Sequence, residues 1–196
     1  MKQDTTLARR RFLLLSAVSG AAGIRVSSTE AAGKKVAEFN GLDEKDKFQI
    51  SSDAKEISQK AYDLGADYVV KFYSCSRGSV AALQEAIPFL PKDKNLIRAA
   101  SCLDGGATTT RSASCGAFTG CGMMIGYLCG KDSFEKTVLS HDLIHELHKR
   151  FTEKYGSVLC KDVREAAKNN CADVVGLASS WTADIVLKQF TVQSKP

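Results

Sequence analysis

The chain has 196 residues, 44% of them hydrophobic and 25% charged, which is the balance of one globular domain and excludes disordered, collagenous and coiled-coil classes. The net charge of +5 is concentrated at the N-terminus, where Lys2, Arg9, Arg10, Arg11 and Arg25 stand against Asp4 and Glu30. Beyond residue 31 the chain carries 22 basic and 20 acidic side chains, so no basic patch argues for nucleic acid.

Arg9-Arg10-Arg11-Phe12-Leu13 opens an uncharged apolar run that ends at Ile24. At about 13 residues it is short of the roughly 20 that span a bilayer. A basic start, a short apolar stretch and small residues around Thr29-Glu30-Ala31-Ala32 make an export signal of the twin-arginine kind over residues 1–31. Such signals address a folded protein to the bacterial periplasm, often with a cofactor already inserted, and the mature chain is expected to have no transmembrane segment. An uncleaved amphipathic anchor is the competing reading. Residues 32–51 are charged, with few apolar anchors, and read as a disordered, flexible linker. The domain proper is expected over 52–196.

From Ala54 to Tyr73, Ile57, Ala61, Leu64, Tyr68 and Phe72 recur at helical intervals, and Gly65 weakens this helix without ending it. Ser79 to Leu90 forms a second helix stopped by Pro88 and Pro91, and Asn95 to Leu103 a shorter third. Cys115 to Cys129 has no charged residue and predicts a central buried helix. Asp132 and Glu135 stand in capping-box spacing before Leu139, Leu143, Leu147 and Phe151, with Gly156 as the C-cap. A last long helix follows Asn169-Asn170 and carries Val174, Ala178, Trp181 and Ile185 on one face. Strand signals are weak, so the expected fold is all-α, a compact bundle of five to seven helices.

The seven cysteines show no Cys-x-x-Cys pair, which disfavours thioredoxin-like motifs, zinc ribbons and c-type haem attachment. Cys75, Cys115, Cys160 and Cys171 each fall in the first turn of a predicted helix. Unpaired N–H groups and partial positive charge at a helix start favour a thiolate, so all four sulfurs are expected to be activated. Four thiolates match the ligand count of an iron–sulfur cluster and equally of tetrahedral zinc. Cys102, Cys121 and Cys129 lie within or at the far ends of helices and read as core residues. In an oxidising compartment, three structural disulfides with one cysteine left over remain an alternative.

The order Cys75, then Cys115-Gly116-Ala117-Phe118-Thr119-Gly120, then Tyr155-Gly156-Ser157 leading to Cys160, then Cys171, resembles the C-GCAxxG-C-C family of redox-active proteins over roughly residues 55–190. The resemblance implies a small helical domain whose cysteines act in redox chemistry or cluster binding, and relatives of it occur beside haem in split-Soret-type cytochromes. Carried over by position, the ligand candidates are Cys75, Cys115, Cys160 and Cys171, with Cys102 or Cys121 as substitutes for Cys75. The expected function is an exported protein that binds an iron–sulfur cluster, or zinc or another metal, and passes electrons to a redox partner such as a cytochrome or exported oxidoreductase. The alternatives are a metal-free thiol–disulfide protein, exchanging through sulfurs such as Cys115 and Cys160, and a non-catalytic helical docking domain.

His141, His145 and His148 share a helical face about 140° from the leucine stripe and read as an ordinary exposed polar face. Gly105-Gly106 before Thr108, Thr109 and Thr110 lacks the rest of any phosphate-binding pattern. It reads as a connection that lets the chain come close to the cysteines.

Overall fold

The computed structural model describes residues 39–107, 110–134 and 136–192. Among these, seven α-helices and one 3-10 turn account for the regular structure, with isolated bridges in place of any sheet. The helices are α1 (Ala54–Phe72), α2 (Cys75–Ala86), α3 (Lys94–Ala99), α4 (Gly116–Cys129), α5 (Val138–Tyr155), α6 (Cys160–Ala166) and α7 (Cys171–Phe190). The all-α bundle is therefore as expected. The proposed export signal, Thr108, Thr109 and Glu135 lie outside the described residues.

Each long helix follows from its apolar spacing. In α5, Leu143, Leu147 and Phe151 point inward while His141, His145 and His148 stay exposed. The uncharged α4 buries Ala117, Cys121, Met124, Ile125 and Leu128, which makes it the central rod. Against it pack α2, α5 and α7, whose Val175, Ala178, Val186 and Phe190 fill the core from the other side. Phe151 meets Phe118 and Trp181 edge-on, with ring centroids 5.3 and 5.7 Å apart. Gly65 proves to be a contact point: a Cβ there would come within 2.9 Å of the Val175 carbonyl, so its absence lets α1 lie directly on α7. Among the described residues no helix is long and apolar enough to cross a membrane.

Three boundaries differ from the sequence expectation. The helix whose apolar pattern begins at Ser79 already starts at Cys75, the first-turn position expected for that cysteine, and a carboxylate distant in sequence caps it. The helix expected near Asp132 opens only at Val138 after Thr137, without a side-chain cap. Residues 39–51, expected as flexible linker, lie on the body instead. Leu42 N–H donates to the Leu128 carbonyl, Phe48 pairs with Thr191, and the Phe48 ring stacks on Phe89 at 4.5 Å. Sparse apolar anchors suffice here because they meet open ends of the finished bundle.

Candidate functional site

Cys75, Cys160 and Cys171 are the first residues of α2, α6 and α7, and Cys115 is the N-cap of α4. Among the described residues every positive φ except that of Gly41 falls in the few residues leading into these four starts. They are Tyr73 before Cys75, then Gly105, Gly106, Ala107 and Arg111 before Cys115, Gly156 before Cys160, and Lys168 and Asn169 before Cys171. Left-handed backbone at non-glycine residues costs free energy and persists only where the surrounding structure enforces it. Here it turns each chain sharply into its helix, so that four N-termini face one region.

Specific contacts tie these starts together. Ser114 and Leu159 form an antiparallel bridge, in which the Cys115 N–H donates to Val158 at 2.7 Å and the Cys160 N–H to Ala113 at 2.9 Å. Two cysteines 45 positions apart are thereby set side by side. Gly106 presses on the same place, since a Cβ there would lie 2.9 Å from that of Cys160. On the other side, a Cβ on Gly116 would lie 3.0 Å from the Cβ of Cys75, and one on Gly120 would lie 2.8 Å from the Cα of Ser76. Two glycines one turn apart thus allow the start of α2 to rest on the start of α4.

Asp104 completes the frame. Its carboxylate accepts from the Ser76 N–H and the Ser74 hydroxyl, both at 2.7 Å, and from the Ser76 hydroxyl at 3.2 Å, with Arg77 at 4.0 Å. It caps α2 in place of Ser74, whose own side chain makes no capping bond.

The thiols are unequal. Cys75 donates its S–H to Cys171, which holds the Cys171 thiol well below its ordinary value. Partial burial opposes that shift, and the guanidinium charges of Arg164 and Arg111 add to it. The same hydrogen bond, together with burial and the charges of Cys171, Cys115 and Asp104, pushes Cys75 up. Burial pushes Cys115 up to about 11, against the lowering influence of the backbone N–H groups of Ala117 and Phe118, and its side chain makes no capping bond to α4. Burial raises Cys160 as well, with the charge of Cys171 adding and Arg164 and Arg111 opposing. The expectation of four activated sulfurs is thus corrected: desolvation outweighs the helix end at Cys115 and Cys160, the neighbouring Cys171 together with burial raises Cys75, and only the half-exposed Cys171 favours the thiolate.

Each of the four sulfurs lies within electrostatic reach of at least two others. The remaining three cysteines are elsewhere. Cys121 sits fully in the core, raised to about 12 by burial, Cys129 donates to the Ile125 carbonyl at 3.3 Å, and Cys102 is exposed on the 3-10 turn. All seven are free thiols.

A family model matches residues 73–185, more than half the chain and all four of these cysteines, under the description "Putative redox-active protein (C_GCAxxG_C_C)". The chain belongs to that family. No curated protein and no solved structure matches it. Against the Gly-Cys-Ala-x-x-Gly of the family name, Ala117-Phe118-Thr119-Gly120 fits, but the two residues before it stand in reverse order, Cys115-Gly116. Cys115 is itself the cap of α4, and Gly116 presents a bare Cα where the chain touches Cys75.

Four cysteine sulfurs agree in kind and number with an iron–sulfur or zinc ligand set. Of the four, Cys75 and Cys171 influence each other most strongly, and among the described residues no three His, Cys, Asp or Glu side chains are grouped to hold one metal ion. The three histidines of α5 are not so grouped either, although the rings of His145 and His148 lie parallel at 6.5 Å.

Asp104, Arg111 and Arg164 escaped the reading of the sequence. Asp104 is 28 residues from the N–H it caps, so local spacing carries no sign of it. Arg164 stands four residues after Cys160, one helical turn, which is a signal that could have been used.

Proposed function

We propose that the protein is a thiol–disulfide redox protein whose working couple is Cys171 and Cys75. What supports this is the meeting of the two thiols at the starts of α2 and α7, close enough that each shifts the other, Cys171 downward and Cys75 upward. That asymmetry separates an attacking thiolate from a resolving thiol. Cys171 attacks one sulfur of a partner's disulfide, forms a mixed disulfide and releases the other sulfur as a thiolate. Cys75 gives its proton to that thiolate and attacks the Cys171 sulfur. A Cys75–Cys171 disulfide forms, the partner's second sulfur leaves as a thiolate that takes its proton from solvent, and two electrons have passed from the couple to the partner.

Residues 1–31 act in this reading as a twin-arginine-type signal, so the partner is an exported oxidoreductase of the bacterial periplasm that carries a disulfide, whereas a cytochrome partner belongs to the one-electron reading below. The support is Arg9-Arg10-Arg11-Phe12-Leu13 and the short apolar run after it. Alkylation before and after reduction, followed by mass spectrometry of peptides, tests the couple. A reducible Cys75–Cys171 link that Cys171→Ser abolishes is expected. Oxidised protein in which both remain free overturns it.

A second reading, an iron–sulfur cluster held by Cys75, Cys115, Cys160 and Cys171, is favoured by one observation: all four stand at the starts of separate helices turned to the same region. Bound there, the cluster would supply one-electron chemistry. Protein purified without oxygen that holds stoichiometric iron, lost in Cys115→Ser, would favour this reading over the first.

A further inference from the structure

Arg111 and Arg164 bracket the thiol site. Arg164 lies one turn beyond Cys160 on α6, and its terminal nitrogen donates to Asn169 Oδ1 at 3.0 Å, two residues before Cys171. The side chain therefore reaches from the start of one cysteine helix to the start of another. Its Nε is shielded from solvent and has no hydrogen-bond partner. A buried donor left unpaired in this way costs free energy that an arriving acceptor would recover. Arg111 is exposed, at φ 60° in the left-handed region, with its carbonyl accepting the Lys161 N–H at 3.0 Å, so it too is set beside the start of α6.

Among the described residues neither guanidinium forms an ion pair with a carboxylate: Asp104 is engaged with Arg77, and Asp162 with the Ser157 hydroxyl. Two guanidinium groups without a carboxylate partner thus stand beside the starts of α6 and α7. A guanidinium presents a planar fork that matches a carboxylate in two-point contact.

We propose that Arg111 and Arg164 form a subsite for the carboxylates of an anionic disulfide, so that the redox substrate is a disulfide bearing carboxylate groups close to its sulfur atoms. This rests on the Cys75–Cys171 couple proposed above. One sulfur of the substrate is taken by Cys171, and the departing half leaves as a carboxylate-bearing thiolate. Cys75 gives its proton to that thiolate and closes the intramolecular disulfide, the second half leaves as a thiolate, and two electrons pass from the couple to the substrate.

The experiment compares two disulfide reagents on the reduced full-length protein at low and high salt. One is the dianionic 5,5′-dithiobis(2-nitrobenzoate) and the other the neutral 2,2′-dithiodipyridine. Taking their ratio removes the effect of the arginines on the thiolate itself, which both reagents share. The expected result is that Arg111→Gln and Arg164→Gln each lower the anionic-to-neutral rate ratio by about two- to fivefold, the range of one partly exposed charge contact, and that added salt does the same to the unaltered protein. A ratio unchanged in both variants overturns the inference but leaves the couple standing, provided the neutral reagent still reacts through Cys171. A neutral reagent that reacts no faster with the unaltered protein than with Cys171→Ser overturns the couple itself. Arg111 is exposed and its replacement leaves the fold intact, so the test does not depend on Arg164 alone.

Discussion

Cys75→Ala removes the S–H that Cys171 accepts while leaving the rest of the bundle in place. In the intact protein the Cys171 thiol is lowered from 9.0 to about 6 by that bond, against its partial burial and with the help of Arg164 and Arg111, in a setting shared with Cys115 and Cys160. At pH 7 a thiol titrating near 6 is about 90% thiolate and one titrating near 9 about 1%, roughly a ninetyfold difference in the reactive form. The lower-pKa thiolate is intrinsically less nucleophilic, by a factor of about 15 to 30 over three pKa units, so the net advantage at neutral pH is about three- to sixfold. Iodoacetamide labelling of Cys171, followed by peptide mass spectrometry from pH 4 to 10, reads this directly. The unaltered protein should show an inflection near 6, and Cys75→Ala one displaced toward 9 with a higher plateau. The sign for stability is the same as for any acid with a depressed folded pKa: the contribution of Cys171 is fully present above 9 and is lost as pH falls through 6. In Cys75→Ala that loss should move to higher pH. An inflection that does not move when Cys75 is removed would refute the pairing of these two thiols.

Asp104→Asn keeps the shape but loses the charge that caps α2 and binds Ser74, and should cost about 1–2 kcal/mol in urea unfolding. Equal stability would show that Ser74 caps the helix unaided. Gly120→Ala puts a methyl group against the backbone of Ser76 and should destabilise by about 1–3 kcal/mol. It should also slow closure of the Cys75–Cys171 disulfide, followed by quenched alkylation, because α2 must back away from α4. The double exchange Cys115→Gly with Gly116→Cys restores the order of the family name where the Cβ positions are 3.0 Å apart. Peptide mapping after oxidation should then find Cys75 linked to position 116 in place of Cys171, and an unchanged link would contradict the close approach of α4 to Cys75.

The helical bundle and the placement of four cysteines at helix starts are legible in the chain order alone. The signals are local: the leucine steps of α5, the uncharged run of α4, and the turn residues Gly156, Asn169 and Asn170 ahead of Cys160 and Cys171. Periodicity and capping act within a few residues, so they survive without knowledge of the fold. Even Gly105-Gly106 was legible as a close approach to the cysteines, and Gly106 does touch Cys160.

What only the tertiary structure decided is which sulfurs meet and which of them ionises. The Ser114–Leu159 bridge, the reach of Asp104 to α2 and the meeting of Cys75 with Cys171 join residues from 28 to 96 positions apart, and no spacing rule spans such distances. A helix start favours a thiolate by a short-range dipole effect, whereas burial opposes it in proportion to the solvent excluded. Burial is a property of the assembled bundle, and it reverses the expectation at Cys115 and Cys160, whereas at Cys75 and Cys171 the meeting of the two thiols decides, raising one and lowering the other against its partial burial.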